Sequence, residues 1–374
     1  MDTINNRLSD NDYHVKFTEE PVDVEWDDFL RNTDGGHHVQ TSMWGRIKTY
    51  QGWNAKRFIL LNNKNKIIGG GQMLERKYPL IGKIAYFTKG PIIQPGYDEL
   101  TDLLMESIIK TCRERAIRYL LIQPANNGAD LEKSLPKYGF NKSILLKVGP
   151  VASFTIDLKQ DLDTLFSNIL RKRRTNIRNS EKEGISIYEG KGSDLDEFYA
   201  LHKATSIRQG FSPYPLDYYQ LMWETLSPGG HIHLIFVKHE DIVISASMVI
   251  AFGKTILIKI VGWSGEYPRL HPNDTLIWQT IKWGQLHGYE IFDMEGINLD
   301  IAKALIETNK FPEKDLHTPA FHKYSYGGKV VLYPEPYDMF FNPVIHWIYK
   351  RILVPLIKSQ PKLMYFMIGQ LRIG

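Results

Sequence analysis

Apolar and polar positions along the chain fall into blocks, and the order of the blocks repeats. RFILLNNKNKIIGGGQMLE, residues 57–75, reads as a strand, a polar Asn/Lys turn and a second strand, because two apolar runs parted by turn formers favour a hairpin. IAYFTKGPIIQ follows as a strand ending in Gly90-Pro91. A helix is then predicted from about Asp98 to Arg115, with Leu100, Leu103, Leu104 and Ile108 at helical spacing, and after it the strand IRYLLIQP. The second block runs the same way. HIHLIFVKHEDIVISASMVIAFG gives strand, charged turn and strand; TILIKIVGWSG gives a strand passing Gly262; a helix from about Asp274 to His287 leads to YEIFDMEG. Corresponding elements lie about 170 residues apart, a domain-sized period.

Hairpins feeding a strand, a helix and another strand describe a mixed α/β sheet, since a return through a helix favours parallel pairing. The N-acetyltransferase-like (GNAT) fold has this order. The fold class expected is therefore α/β, with two tandem GNAT-like domains. The first would comprise 1–155 plus 321–374, and the second 156–320.

Between the blocks, FTIDLKQDLDTLFSNILRKRRTNIRNSEKEG reads as one amphipathic helical stretch. Arg171, Lys172, Arg173, Arg174, Arg178 and Lys182 are opposed only by Glu181, while Leu162, Leu165, Phe166, Ile169 and Ile177 form a candidate buried stripe. A solvated surface is one reading. The other is a docked helix that presents guanidinium groups to phosphates. From Met339 to Gly374 no acidic residue occurs, and Lys350, Arg351, Lys358, Lys362 and Arg372 alternate with Trp347, Tyr349, Ile352, Leu353, Leu356, Ile357, Tyr365, Phe366 and Ile368. Such a tail suits either an interfacial segment on an anionic membrane or a helix packed back on the first domain.

Composition adds bounds. The 374 residues hold 46 Lys+Arg against 42 Asp+Glu, a net charge of +4, so any anion-binding surface is local. One cysteine, Cys112, excludes an intramolecular disulfide and points to a reducing compartment. The opening residues lack basic and apolar signal regions, and no window reaches the ~18 apolar residues of a membrane span, so a cytoplasmic protein is expected, with peripheral contact at the inner membrane face through 339–374. The pattern specifies no oligomeric state.

The search for familiar chemistry is mostly negative. There is no G-x-S-x-G elbow, H-E-x-x-H pair or P-loop lysine. His37-His38 reads as a surface turn, His231 and His233 as structural, and no metal is expected. A GNAT coenzyme loop needs glycine to bring backbone N–H groups onto a pyrophosphate. Arg269-Leu270-His271-Pro272-Asn273-Asp274 has none, and Pro272 removes a donor; Gln94-Pro95-Gly96-Tyr97-Asp98 is no better. No cofactor is expected.

Six segments in order carry a resemblance: Gln40-Thr41-Ser42-Met43-Trp44-Gly45 with Lys48 and Trp53, Lys89-Gly90-Pro91, the Arg-rich segment, Pro272 through Trp278, Phe292-Asp293, and Lys323-Tyr324-Ser325-Tyr326-Gly327-Gly328. Together they resemble the FemABX peptidyltransferases. The resemblance implies two fused GNAT-like domains that transfer an amino acid from aminoacyl-tRNA to an amino group of a nucleotide- or lipid-linked peptidoglycan precursor. It implies Lys323 as the catalytic cation and Lys48, Trp53, Tyr86, Arg208 and Tyr326 as the substrate-binding set. Arg171, Arg173, Arg174 and Arg178 are the expected tRNA or phosphate contacts. Departures are His322 before the lysine and the apolar Val261 and Trp263 where an acceptor contact is expected. They keep open an alternative, a GNAT-type N-acyltransferase that uses acyl-CoA or another activated donor and acts on an amino sugar or lipid-linked intermediate of surface-polysaccharide synthesis.

Overall fold

The computed structural model describes residues 13–79, 81–146 and 148–359. Residues 1–12, the side chain of Lys358, and Lys362, Tyr365, Phe366, Ile368 and Arg372 lie outside the described residues. The chain divides into two compact units, 1–149 with 333–374, and 150–332. The segment 321–332, expected in the first domain, falls in the second unit.

The first unit contains β1 (Tyr13–Thr18), β2 (Asn54–Asn62), β3 (Ile67–Tyr78), β4 (Gly82–Thr88), β5 (Ile92–Ile93), β6 (Ile117–Gln123) and β7 (Asn141–Lys142). The second contains β8 (Ala152–Asp157), β9 (Ile185–Gly190), β10 (Ile232–His239), β11 (Ile242–Phe252), β12 (Thr255–Trp263), β13 (Ile291–Asp293) and β14 (Lys329–Leu332), and the chain's late strand β15 (Tyr337–Phe340) returns to the first. The sheet orders are β1-β2-β3-β4-β6-β15-β7, with β5 on β3, and β14-β8-β13-β12-β11-β10-β9. Each unit runs antiparallel hairpins into one parallel pair, β4 with β6 and β12 with β13, and then an antiparallel neighbour. The helices Thr101–Glu114 and Pro272–Leu286 make the two crossovers. The strand beyond the parallel pair is exchanged in chain order: β8 follows the first unit in sequence but joins the second sheet, and β15 closes the first.

Local chemistry explains the hairpins. In the β2–β3 turn the Asn62 side chain accepts from the Lys64 and Lys66 backbone N–H groups, and Asn65 takes a left-handed φ of 56°. Gln40, at the head of the resembling motif, ties the helical N-terminal segment to the sheet. Its amide donates to the Thr88 and Gln72 carbonyls at 2.8 and 3.1 Å and accepts from Gln72 N–H at 2.7 Å. A side chain at Gly90 would meet Gln40, so glycine is required there.

The basic stretch departs from the expected single helix. Its start is β8, and two helices follow, Leu162–Asn168 and Arg171–Lys182, parted by extended backbone at Ile169 and Leu170. Leu165, Ile169 and Ile177 are buried, but Leu162, the first residue of its helix, is 38% exposed.

In the first unit Tyr349 and Val354 pack on Leu145, and the Tyr349 and Tyr119 hydroxyls both donate to Asp338 at 3.4 Å. Burial pushes the Asp338 carboxyl up to about 6, its hydroxyl donors offsetting this only in part. The folded chain thus holds a proton that the unfolded chain, at about 3.9, releases, so this group's contribution to stability grows as pH falls through that window. Asp338→Asn is expected to be more stable than wild type by about 2 kcal/mol at pH 7–8, with the difference shrinking toward pH 4.5. Urea midpoints across that range measure it.

Candidate functional site

The parallel pair of the second unit separates. Thr255↔Ile291, Ile256↔Phe292 and Leu257↔Asp293 are paired, after which β12 runs on to Trp263 without β13. A bulge at Lys259, skipped between the pairs Val249↔Ile258 and Met248↔Ile260, bends the free part of β12. In the first unit the corresponding ladder stays closed from Lys83↔Ile117 to Thr88↔Gln123. The second unit therefore leaves β12 without a strand neighbour on that side after Leu257; at the tip Thr205 and Arg208 occupy the Trp263 backbone groups, so the edge available to an extended ligand lies before Trp263.

Lys323 stands beside the end of β13. Its helix, Pro319–Tyr324, is capped by Thr318, whose side chain accepts from Phe321 N–H. The ammonium donates to the carbonyls of Glu295 and Gly296, the latter at 2.9 Å. Both carbonyls belong to left-handed residues, φ 42° and 77°, so the strand end curls to aim them at the cation. Burial draws the Lys323 amine below the usual lysine range, against the opposing charges of Glu295 and Asp293. Two of its three N–H donors are taken. Glu295 also pairs with Lys259 at 3.2 Å, and Asp293 accepts from Ser153 and from Glu295 N–H.

A second network holds this element in place. Asp274, 4% exposed in the first turn of the helix Pro272–Leu286, receives Arg173 at 3.1 and 3.2 Å, Asn176 at 2.6 Å, Tyr326 at 2.7 Å and His322 at 3.3 Å. Burial alone would raise its carboxyl, but the hydrogen bonds from His322, Asn176 and Tyr326 and the Arg173 charge hold it well below the carboxylate range. Arg173 further donates to Ser325. Gly327, at φ 80°, completes the turn where a side chain would come within 2.6 Å of the Asn168 carbonyl.

The residues singled out from sequence are spread over both units. In the second, Lys323 and Tyr326 share one helix–turn; Tyr326 is buried, and its phenol is pushed far up by burial and by Asp274. Arg208 ends the helix Leu195–Gln209 and holds the tip of β12, donating to the Trp263 and Ser264 carbonyls with its guanidinium 4.7 Å from the Trp263 ring. Of the basic helix, Arg173 turns inward to Asp274, Arg174 donates to the Ser167 carbonyl at 2.8 Å, Arg178 lies 5.1 Å from the Phe166 ring, and Arg171 is exposed. In the first unit Lys48, Trp53 and Tyr86 are all buried. Lys48 donates to Gln51 at 2.8 Å, and the Trp53 ring meets Tyr86 edge-on at 4.7 Å. Asp274, Asn176, Glu295 and Lys259 were not singled out. A lone Asp behind Pro272 looks like ordinary helix-start chemistry, and only three-dimensional convergence distinguishes it.

The FemAB family model matches residues 18–143, and an acetyltransferase (GNAT) domain model matches 171–300. Among curated relatives, the lipid II:glycine glycyltransferase of Staphylococcus haemolyticus is 26% identical over 226 residues, 58% of this chain and 54% of the relative. That of Staphylococcus aureus strain MRSA252 is 25% identical over 224 residues, 57% and 53%. The chain thus spans about half the length of the curated relatives it matches. Among solved structures, FemX superposes with a TM-score of 0.76 at 18% identity, covering 90% of this chain and 99% of FemX. A tandem GNAT protein from the clavulanic acid biosynthesis pathway gives 0.51 at 11%, covering 88% and 99%. The tandem GNAT-like fold and the FemABX resemblance read from the sequence are borne out.

Truncating Asp274 leaves the partly buried Arg173 without its charge partner. Asp274→Ala is expected to cost about 3–5 kcal/mol, read as a lowered denaturant midpoint at pH 7. Because the carboxyl is held low, wild type should keep this advantage at neutral pH and lose it as pH falls below the usual carboxylate range of about 3.9.

Proposed function

We propose that this FemAB-type chain of two GNAT-like units is an aminoacyltransferase, moving an amino acid from aminoacyl-tRNA to an amino group of a peptidoglycan precursor. The observation that carries this reading is Lys323, a partly buried ammonium with a donor to spare near the unpaired stretch of β12. The acceptor amine attacks the ester carbonyl, a C–N bond forms, and the carbonyl oxygen becomes an oxyanion that a desolvated ammonium stabilises. The C–O bond to the ribose then breaks, and overall one proton passes from the amine to the ribose oxygen. No enzyme nucleophile is needed. The glycine-free entry to the helix Pro272–Leu286 favours a donor other than acyl-CoA. The relatives named for lipid II favour a lipid-linked acceptor over a nucleotide-linked one. In this reading Lys48, Trp53 and Tyr86 shape the acceptor region of the first unit from within its core.

A lipid-linked acceptor calls for contact with a membrane surface, and the helical segment 343–359 supports one. Tyr349, Val354 and Ile357 dock inward, while Val344, Trp347, Ile352 and Leu356 are exposed, Val344 by 63% and Trp347 by 59%, with Lys350 and Arg351 beside them. Apolar groups, an indole and cations on one short segment match an anionic lipid interface. Among the described residues no helix is long and apolar enough to cross a membrane.

Incubation with charged tRNA and lipid II should add one amino-acid residue to the acceptor, detected by mass. Absence of any increment, across charged tRNAs, defeats the proposal. Lys323→Met should lower the transfer rate about 100- to 1,000-fold. Wild-type activity should fall on the alkaline side at a pH below the ~10.4 of an ordinary lysine, as the lowered amine deprotonates. For the membrane contact, Trp347→Glu with Ile352→Glu should abolish cosedimentation with phosphatidylglycerol vesicles without shifting the melting temperature; unchanged cosedimentation refutes it.

A further inference from the structure

The helix Arg171–Lys182 divides its cations between two faces. Arg173 points inward with Asn176, Ile177 and Ser180, which are buried. Arg171, Arg178 and Lys182, at i, i+7 and i+11, share the opposite, exposed face. At 1.5 Å per residue the stripe is about 16 Å long. Among the described residues none of the three makes an ion pair, so their charge is unneutralised.

The stripe leads into a cavity of about 530 Å³ at the C-terminal end of the helix, walled by Asn179, Lys182, His239, Tyr267 and Arg269, with Glu183 as its carboxylate. Arg269 is likewise exposed and without an ion pair among the described residues. The wall is preformed. Tyr267 and His271, at φ 50° and 46°, bracket the turn Pro268–Leu270, and Ser180 of the basic helix donates to the Leu270 carbonyl. The Tyr267 ring is 37% exposed and braced edge-on by His239 at 5.0 Å.

We propose that the stripe Arg171–Arg178–Lys182 and the Arg269 cavity form a track for RNA, the stripe taking successive backbone phosphates and the cavity one nucleotide. The inference rests on the aminoacyl-tRNA reading above and deepens it by assigning the surface that holds the donor. Guanidinium and ammonium groups hold the phosphates, and the Tyr267 ring supplies a stacking face for a base. A single coenzyme diphosphate would occupy only the cavity, whereas the cationic surface continues along the helix. Arg173 and Arg174 are excluded from the track, being committed to Asp274 and to the Ser167 carbonyl.

The test uses the full chain and uncharged bulk tRNA, with affinity measured between 50 and 200 mM salt. Removing two phosphate contacts in Arg178→Ala/Lys182→Ala or in Lys182→Ala/Arg269→Ala should weaken binding at least tenfold at low salt and flatten the log–log salt slope by about one per cation. Lys182→Arg should keep wild-type binding, as should Lys64→Ala, a lysine on the exposed β2–β3 turn. Melting temperatures should not move, since all four cations are exposed. Wild-type affinity and slope in both double variants overturn the track, and so does calorimetric binding of acetyl-CoA that the Lys182→Ala/Arg269→Ala variant abolishes. If the double variants transfer amino acids at the wild-type rate, the track fails and the function stands. If wild type transfers nothing while the variants lose tRNA binding, the function fails and the track stands.

Discussion

A carboxylate removed from water must be satisfied by its surroundings, and in the second unit that requirement organises everything near Lys323. Asp274 gathers an arginine and an asparagine from the basic helix together with a histidine and a tyrosine from the segment that carries the lysine. Its position in the first turn of the crossover helix adds the favourable end of the helix dipole. The same anchor explains why the arginine-rich segment is not simply a solvated face. Arg173 is committed to Asp274 and Arg174 to the Ser167 carbonyl, while Arg171, Arg178 and Lys182 face outward.

The two units use one module in two ways. In the first the parallel ladder is closed, and the residues in its neighbourhood, Lys48, Trp53 and Tyr86, are core. In the second the ladder parts after three pairs, a bulge at Lys259 bends the free strand, and two left-handed residues at the end of β13 turn their carbonyls to an ammonium. The unpaired strand and the partly buried cation belong together: a developing oxyanion is stabilised best where water is scarce and the donor is already fixed.

Much of the fold was legible because hairpins announce themselves through turn chemistry and crossovers through helical spacing, as at Asn62–Lys66 and Thr101–Glu114. Other features leave no local trace. The extended break at Ile169 and Leu170 interrupts an apolar spacing that reads as continuous, and the exchange of β8 and β15 is a matter of long-range pairing. The site was legible in part. Lys323 was reached through the FemABX resemblance, whereas Gln40 and Thr41, conspicuous in the same motif, tie into the sheet. Asp274 escaped notice because its four partners lie as much as 101 residues away in sequence.

The exchange of strands has a consequence for how the protein is made. β6 needs β15 on its outer side, yet 213 residues separate Gln123 from Tyr337, and the whole second unit lies between them. While the ribosome is still translating that stretch, β6 presents a bare apolar edge, a template for unwanted pairing. The first sheet can therefore be completed only after the second unit has been translated, although most of its strands are made first.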